Sequence, residues 1–351
     1  MLKQKYFLTG IFILSAERQP IKLAWRKIVW LLTRLYSFDA LKVLSIYMVI
    51  VGHVLFYSFH EANNLVWQFI DVVNMPMFMF ISGFFSGIPT AKGVLKRLRT
   101  LILPTLMVGM LYTFCKEIEF ESFFISSMHN GYWFCFTLFC LYIFYWICSL
   151  LEKCFQRCGL GNYNEVIFLS VGVILVLVCY RFLFQDNIFT NALSIPQFYR
   201  YVPFFVYGIF VNKISKLKNL LEQSNLLFTI SLVGIMAGVY MGIGYTVCRL
   251  VIAFSYINIM LYFFQYWFAN RYNRWVEYVA TRTIDIYLFH FFLLPTYFFV
   301  IPSSFNPNHN ILLSLTVVGI ISAIVLFGTL LLTKFIETSK VLSILLLGKI
   351  K

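Results

Sequence analysis

Apolar runs of roughly 20 residues, long enough to cross a hydrocarbon core as helices, recur along the chain between short polar segments. They fall at about 40–59, 66–87, 101–116, 131–150, 165–184, 198–213, 225–243, 246–268, 284–301 and 311–333. Strands are excluded, because the runs are too long and do not alternate every second residue. The third and sixth runs are short, as expected of tilted or partly re-entrant helices. The pattern predicts an all-α, polytopic integral membrane protein of about ten transmembrane helices.

Composition agrees. Of 351 residues, 61% are hydrophobic and 12% charged, whereas soluble chains are about half apolar and about a quarter charged. This excludes a cytosolic enzyme, a secreted disulfide scaffold and a disordered chain. The eight cysteines form no zinc-ligand pattern, and no metal is expected.

The net charge of +14 would suggest nucleic acid if it were gathered into one patch. Instead it alternates. Lys3, Lys5, Arg18, Lys22, Arg26, Lys27 and Arg34 precede the first run, and the next loop has no Lys or Arg. Lys92, Lys96, Arg97 and Arg99 follow the second run; the third is followed by Lys116 beside Glu117, Glu119 and Glu121. The later loops continue the alternation almost perfectly, with Arg181 and Arg200 at span edges of the fifth, down to Lys334, Lys340, Lys349 and Lys351 at the end. Positive charge gathers on the cytoplasmic side of membrane proteins, so both termini are predicted to be cytoplasmic, in the plasma (inner) membrane. The partner implied is the lipid bilayer, not nucleic acid. Residues 1–35, with Trp25 and Trp30 among basic residues, read as a cytoplasmic interfacial segment. Residues 36–335 form the transmembrane domain, and 336–351 a cytoplasmic tail.

Ionisable residues inside a span are costly and mark functional sites. The first span carries Asp39, Lys42 and His53. At 100° per residue, Lys42 and His53 lie about 20° from perfect alignment, and His53 is roughly 16 Å further along the axis. Asp39 shares the stripe and is close enough to pair with Lys42. This predicts a polar cleft with a cation near its mouth and, deeper in, an imidazole able to take a proton from a hydroxyl. A structural reading stays open, in which Asp39 and Lys42 anchor the helix at the headgroups. The second span holds Asn74 and Pro76, then Ser82-Gly83, and reads as a kinked packing helix. The basic run that follows, Lys96-Arg97-Leu98-Arg99, is either a topology anchor or a clamp for phosphates.

These residues together resemble acyltransferase family 3, integral membrane acyltransferases that modify carbohydrates. The resemblance lies in Asp39-x-Leu41-Lys42 with His53, Met75-Pro76-Met77-Phe78 to Ser82-Gly83, and the basic stretch before Pro104. Gly131-Tyr132-Trp133-Phe134, Pro203-Phe204-Phe205-Val206-Tyr207-Gly208 and Tyr287-Leu288-Phe289-His290 follow in the family's order. The Met-Pro spacing is similar to the fucose 4-O-acetylase-like branch. The resemblance implies an O-acetyltransferase moving acetyl from acetyl-CoA to a sugar hydroxyl of a surface polysaccharide or its lipid-linked precursor. It implies His53, Lys42 and Asp39 as the catalytic group. Lys96, Arg97 and Arg99 would meet the donor's phosphates, and Asn74, Trp133, Tyr132 and His290 the acceptor.

The chain departs from the family pattern at three places. Lys42 stands where the family has Arg, Thr100 where its second basic-motif Arg falls, and Asn74 where the branch often has His. A transporter or flippase for a glycolipid would use the same cleft, with Lys42 and His53 as proton or substrate sites. His60, His129 and His309 are expected to be loop residues without clustered partners.

Overall fold

The computed structural model describes residues 36–60, 64–158, 165–183, 188–268, 271–295 and 311–349. The predicted interfacial segment 1–35, His309 and the end of the ninth apolar run lie outside them.

The described residues are helical, without strands. The helices are α1 (Tyr36–Tyr57), α2 (Leu65–Phe84), α3 (Ala91–Arg97), α4 (Leu103–Cys115), α5 (Phe120–Ile125), α6 (Trp133–Arg157), α7 (Glu165–Leu183) and α8 (Ile188–Ala192). Then come α9 (Ile195–Lys213), α10 (Ser215–Gln223), α11 (Asn225–Gly242), α12 (Thr246–Phe268), α13 (Arg274–Ala280), α14 (Thr283–Leu293), α15 (Ile311–Ile336) and α16 (Lys340–Leu347). A helix covers each of the ten apolar runs at least in part. Among the described residues, seven spans are long and apolar enough to cross a membrane: α1, α2, α3–α4 together, α6, α11, α12 and Leu315–Ile336 of α15. The third run is thus longer than the sequence suggested. A π-helical turn, Leu98–Ile102, joins α3 to α4 so that 25 residues run on as one helix.

α1 is central. It packs against α2, α12, α13, α14 and α15, and buries Phe38, Leu41, Ile46, Val49, Ile50 and Val54 on different sides. A helix that buries apolar residues on several sides belongs in a core. Of the most apolar stretch of α1, 56% is buried, against 11% for α11, which puts α11 at the lipid-facing periphery. Tyr47 on α1 donates to the Gly319 carbonyl of α15 at 2.8 Å.

Helices α2 and α9 cross with their backbones in contact. A Cβ on Gly83 would lie 1.9 Å from the Phe205 carbonyl oxygen, and one on Gly208 2.0 Å from that of Phe80. Two glycines let these backbones touch, as small residues do at membrane helix interfaces. The chain's last segment straps the bundle. Lys349 Nζ lies 2.5 Å from Asp285 Oδ2 and 2.8 Å from Glu337 Oε1, and Glu337 also meets Arg282 at 3.4 Å. Burial pushes the Glu337 carboxyl up, but the two cations outweigh it and hold it below the ordinary range. Gly348, with φ 65°, lies against the backbone of Arg99 and Thr100 in the π turn.

Candidate active site

The helical stripe on α1 persists in three dimensions. At one end Lys42 Nζ sits 3.4 Å from the buried Asp39 carboxylate and 4.6 Å from the centre of the Phe85 ring. Eleven residues on, His53 lines a cavity of about 490 Å³. Its wall includes Asn74 of α2, Trp133 of α6 and Gln197 of α9. Ser126, Asn130 and Gly131, from the segment between α4 and α6, form its rim.

Behind His53 stands His290 of α14. The two ring centres are 5.1 Å apart, and Phe291 packs 4.7 Å from His53. His290 is fully buried. Its Nδ1 lies 2.7 Å from the Tyr287 carbonyl oxygen and 3.2 Å from that of Ile286. Carbonyls only accept, so Nδ1 carries the proton and Nε2 is a bare acceptor in the neutral ring. That Nε2 has no hydrogen-bond partner among the described residues. A buried polar atom left without a partner calls for an explanation. The neighbouring imidazole is that of His53, which lines the cavity.

Tyrosines fix α14 in this position. Tyr287 Oη donates to the Gly131 carbonyl at 2.7 Å and accepts from the Phe134 amide at 3.2 Å, while Tyr132 Oη donates to the Leu288 carbonyl at 3.1 Å. Gly131, with φ 99°, lies so close to Phe291 that a Cβ would come within 2.6 Å of its ring. Tyr132 is therefore packed behind the cavity wall. Trp133 lines the cavity, but its ring stacks on Tyr201 with centres 5.1 Å apart. Asn74 bridges two helices. In the amide orientation that satisfies both its ends, it donates to the Ser45 carbonyl at 3.0 Å and accepts from the Val49 amide at 3.1 Å.

The basic run divides. Arg97 turns inward, donating to the Ser86 carbonyl at 2.9 Å with its guanidinium 3.7 Å over the Tyr142 ring. There it completes a collar around the end of α2, whose Ser82 and Phe84 carbonyls accept from Tyr142 and Asn212. Lys96 and Arg99 face outward and line a separate surface groove of about 620 Å³ with Leu103 and Leu106. No group of His, Cys, Asp and Glu among the described residues is suited to hold a metal.

His129 corrects an expectation. It is buried, with Nδ1 2.7 Å from the Phe123 carbonyl oxygen, Nε2 2.7 Å from Ser194 Oγ, and its ring stacked on Phe136. Burial lowers its pKa and the Phe123 contact partly offsets this. It clasps the rim segment and is no solvated loop residue. Sequence reasoning also missed Trp67, Asp71 and Arg200 of the cavity wall. Asp71 was the available signal: an ionisable residue within the second apolar run.

The fold and cavity define a polytopic membrane protein with paired histidines at a polar site inside its helix bundle. The sequence matches the acyltransferase domain family (acyltransferase family 3) over residues 35–333, and the chain belongs to that family. It is a membrane acyltransferase. Comparison with curated proteins and with solved structures finds no match.

Proposed function

We propose that this acyltransferase moves an acetyl group from acetyl-CoA to a hydroxyl of a carbohydrate, on a surface polysaccharide or its lipid-linked precursor. The observation that carries the reading is His53 on the cavity with the buried His290 lone pair behind it. In direct transfer, His53 accepts the proton of the sugar hydroxyl as its oxygen attacks the thioester carbonyl. The tetrahedral intermediate then collapses, the C–S bond breaks, and the CoA sulfur leaves with the proton returned by His53. An acyl-enzyme route needs the same base.

Lys96 and Arg99 are exposed and available to the donor's phosphates. Arg97 acts on this reading by holding the collar around α2, which keeps Phe85 under Lys42. The charge alternation supports a cytoplasmic basic face in the inner membrane, with the His53 cavity toward the opposite side. Asn74, Trp133, Tyr132 and His290 shape the acceptor's site: Trp133 and Asn74 at its wall, the other two behind it.

Membranes holding the protein, given labelled acetyl-CoA and polysaccharide precursor, should transfer label. His53→Ala should lower the rate by about 10²- to 10⁴-fold, the contribution of a positioned base, with unchanged membrane insertion. Wild-type transfer by the variant would remove His53 from the mechanism. Absence of transfer by the wild type to any carbohydrate would sink the acceptor assignment.

A further inference from the structure

The His53 cavity carries charge that proton transfer does not use. Among its described lining residues, Asp71 is the only carboxylate and Arg200 the only Lys or Arg. Asp71 is committed elsewhere: its Oδ2 lies 2.5 Å from Arg249 Nη2. A smaller adjoining cavity of about 100 Å³ is shared by Asp71, Arg200, Tyr201 and Arg249. Two guanidinium groups and one carboxylate thus share this lining, which is net positive. Gln197, Asn130 and Ser126 line the same cavity with further polar groups, and Trp67 adds an aromatic one.

Arg200 and Arg249 also stand apart from the charge alternation. They belong to the end of the bundle where the loops are poor in Lys and Arg, so orientation does not account for them. The cavity's size falls within the range of small-molecule sites.

We propose that Arg200 is the specificity residue of the acceptor site and selects a sugar bearing an anionic group, a carboxylate or a phosphate. This rests on the acyl-transfer reading of the cavity. A guanidinium presents a planar fork that matches either anion with two parallel hydrogen bonds. Asp71 would compete for that fork if it were free; it is paired with Arg249 instead. The Asp71–Arg249 pair is therefore a positioning element and Arg200 the contact.

The test is binding to the full chain in nanodiscs, without acyl donor, followed by calorimetry. The probes are methyl glucuronide, methyl glucoside and glucose 6-phosphate. One of the two anionic probes should bind about tenfold tighter than the neutral glucoside, as a charge-assisted pair at a wet site allows. Whichever binds tighter identifies carboxylate or phosphate as the group selected. Arg200→Gln should abolish the preference and Arg200→Lys retain part of it. Arg249→Gln, by freeing Asp71, should weaken the anionic probe, and Asp71→Asn should strengthen it. Equal binding of the three probes, binding of none, or a preference that survives Arg200→Gln overturns the proposal. That result leaves acyl transfer standing. Loss of all transfer with the preference intact would instead sink the acyl-transfer reading alone.

Discussion

A single nitrogen separates a packed histidine from a working one at residue 290. Its Nδ1 proton is spent on two carbonyls, which fixes the tautomer and aims the Nε2 lone pair away from its own helix. The two ring centres are 5.1 Å apart, and on the proposed mechanism that lone pair would receive the N–H of the protonated base as it forms. His290→Asn keeps an N–H near the Nδ1 position and deletes the lone pair. We expect kcat to fall about tenfold to a hundredfold with KM unchanged, the pattern for a contact made only in the transition state. Thermal stability should stay near wild type. A merely structural histidine would show the reverse, a lower melting temperature at full kcat, and that result would remove His290 from the chemistry. The first-span stripe was legible in the sequence because Asp39, Lys42 and His53 share one helix, whose pitch fixes their relation in advance. The meeting of His53 with His290, or of Asp71 with Arg249, joins residues far apart in the chain. No local periodicity encodes such contacts, so they appeared only with the fold.

Helices in this bundle are easier to read than their contacts. Length and apolarity place each span, since a bilayer demands both. Which spans touch depends on shape, because lipid tails are as apolar as the helices and sort nothing by hydrophobicity. Gly83 and Gly208 hold that information for α2 and α9, yet in sequence they look like other glycines. Gly208→Ala puts a methyl 2.0 Å from the Phe80 carbonyl oxygen and 2.7 Å from the Phe84 nitrogen, backbone atoms with little room to yield. The helices must separate, and overpacking of this kind costs about 1–3 kcal/mol or more. We expect reduced yield of folded protein and a lower melting temperature in detergent. Gly172→Ala is the control, since its methyl would meet only the Cys148 and Phe144 side chains, at 3.0 and 3.1 Å. Equal melting of the two variants would refute backbone contact as the α2–α9 constraint. The inward turn of Arg97 has a similar lesson. A basic run reads as one patch in sequence, but successive helical residues point about 100° apart. Lys96 and Arg99 therefore share the groove while Arg97 joins the collar at the end of α2.

For the whole molecule, the two ends of the bundle have different chemistry. One end holds Lys42, Arg97 and the groove of Lys96 and Arg99; the other holds the cavity rimmed by Ser126, Asn130 and Gly131. On the proposed function, donor and acceptor would approach from opposite sides, which would make orientation part of the mechanism. The chain carries its own reporters. Cys115, Cys154 and Cys158 are exposed, and the remaining cysteines are buried or half-buried. Cys115 ends α4, beside Lys116 and Glu117, while Cys154 and Cys158 lie at the far end of α6, beside Lys153 and Arg157. The helix α6 stands between the two positions, so they report opposite faces of the membrane. The positive-inside arrangement predicts that Cys154 and Cys158 face the cytoplasm and Cys115 the outside. A membrane-impermeant maleimide applied to intact cells should then label a variant retaining only Cys115. It should label one retaining only Cys158 after the membrane is opened, and not before. The reverse pattern would invert the molecule, and with it the side from which each substrate must arrive. Labelling of both in intact cells would mean that α6 does not span the membrane.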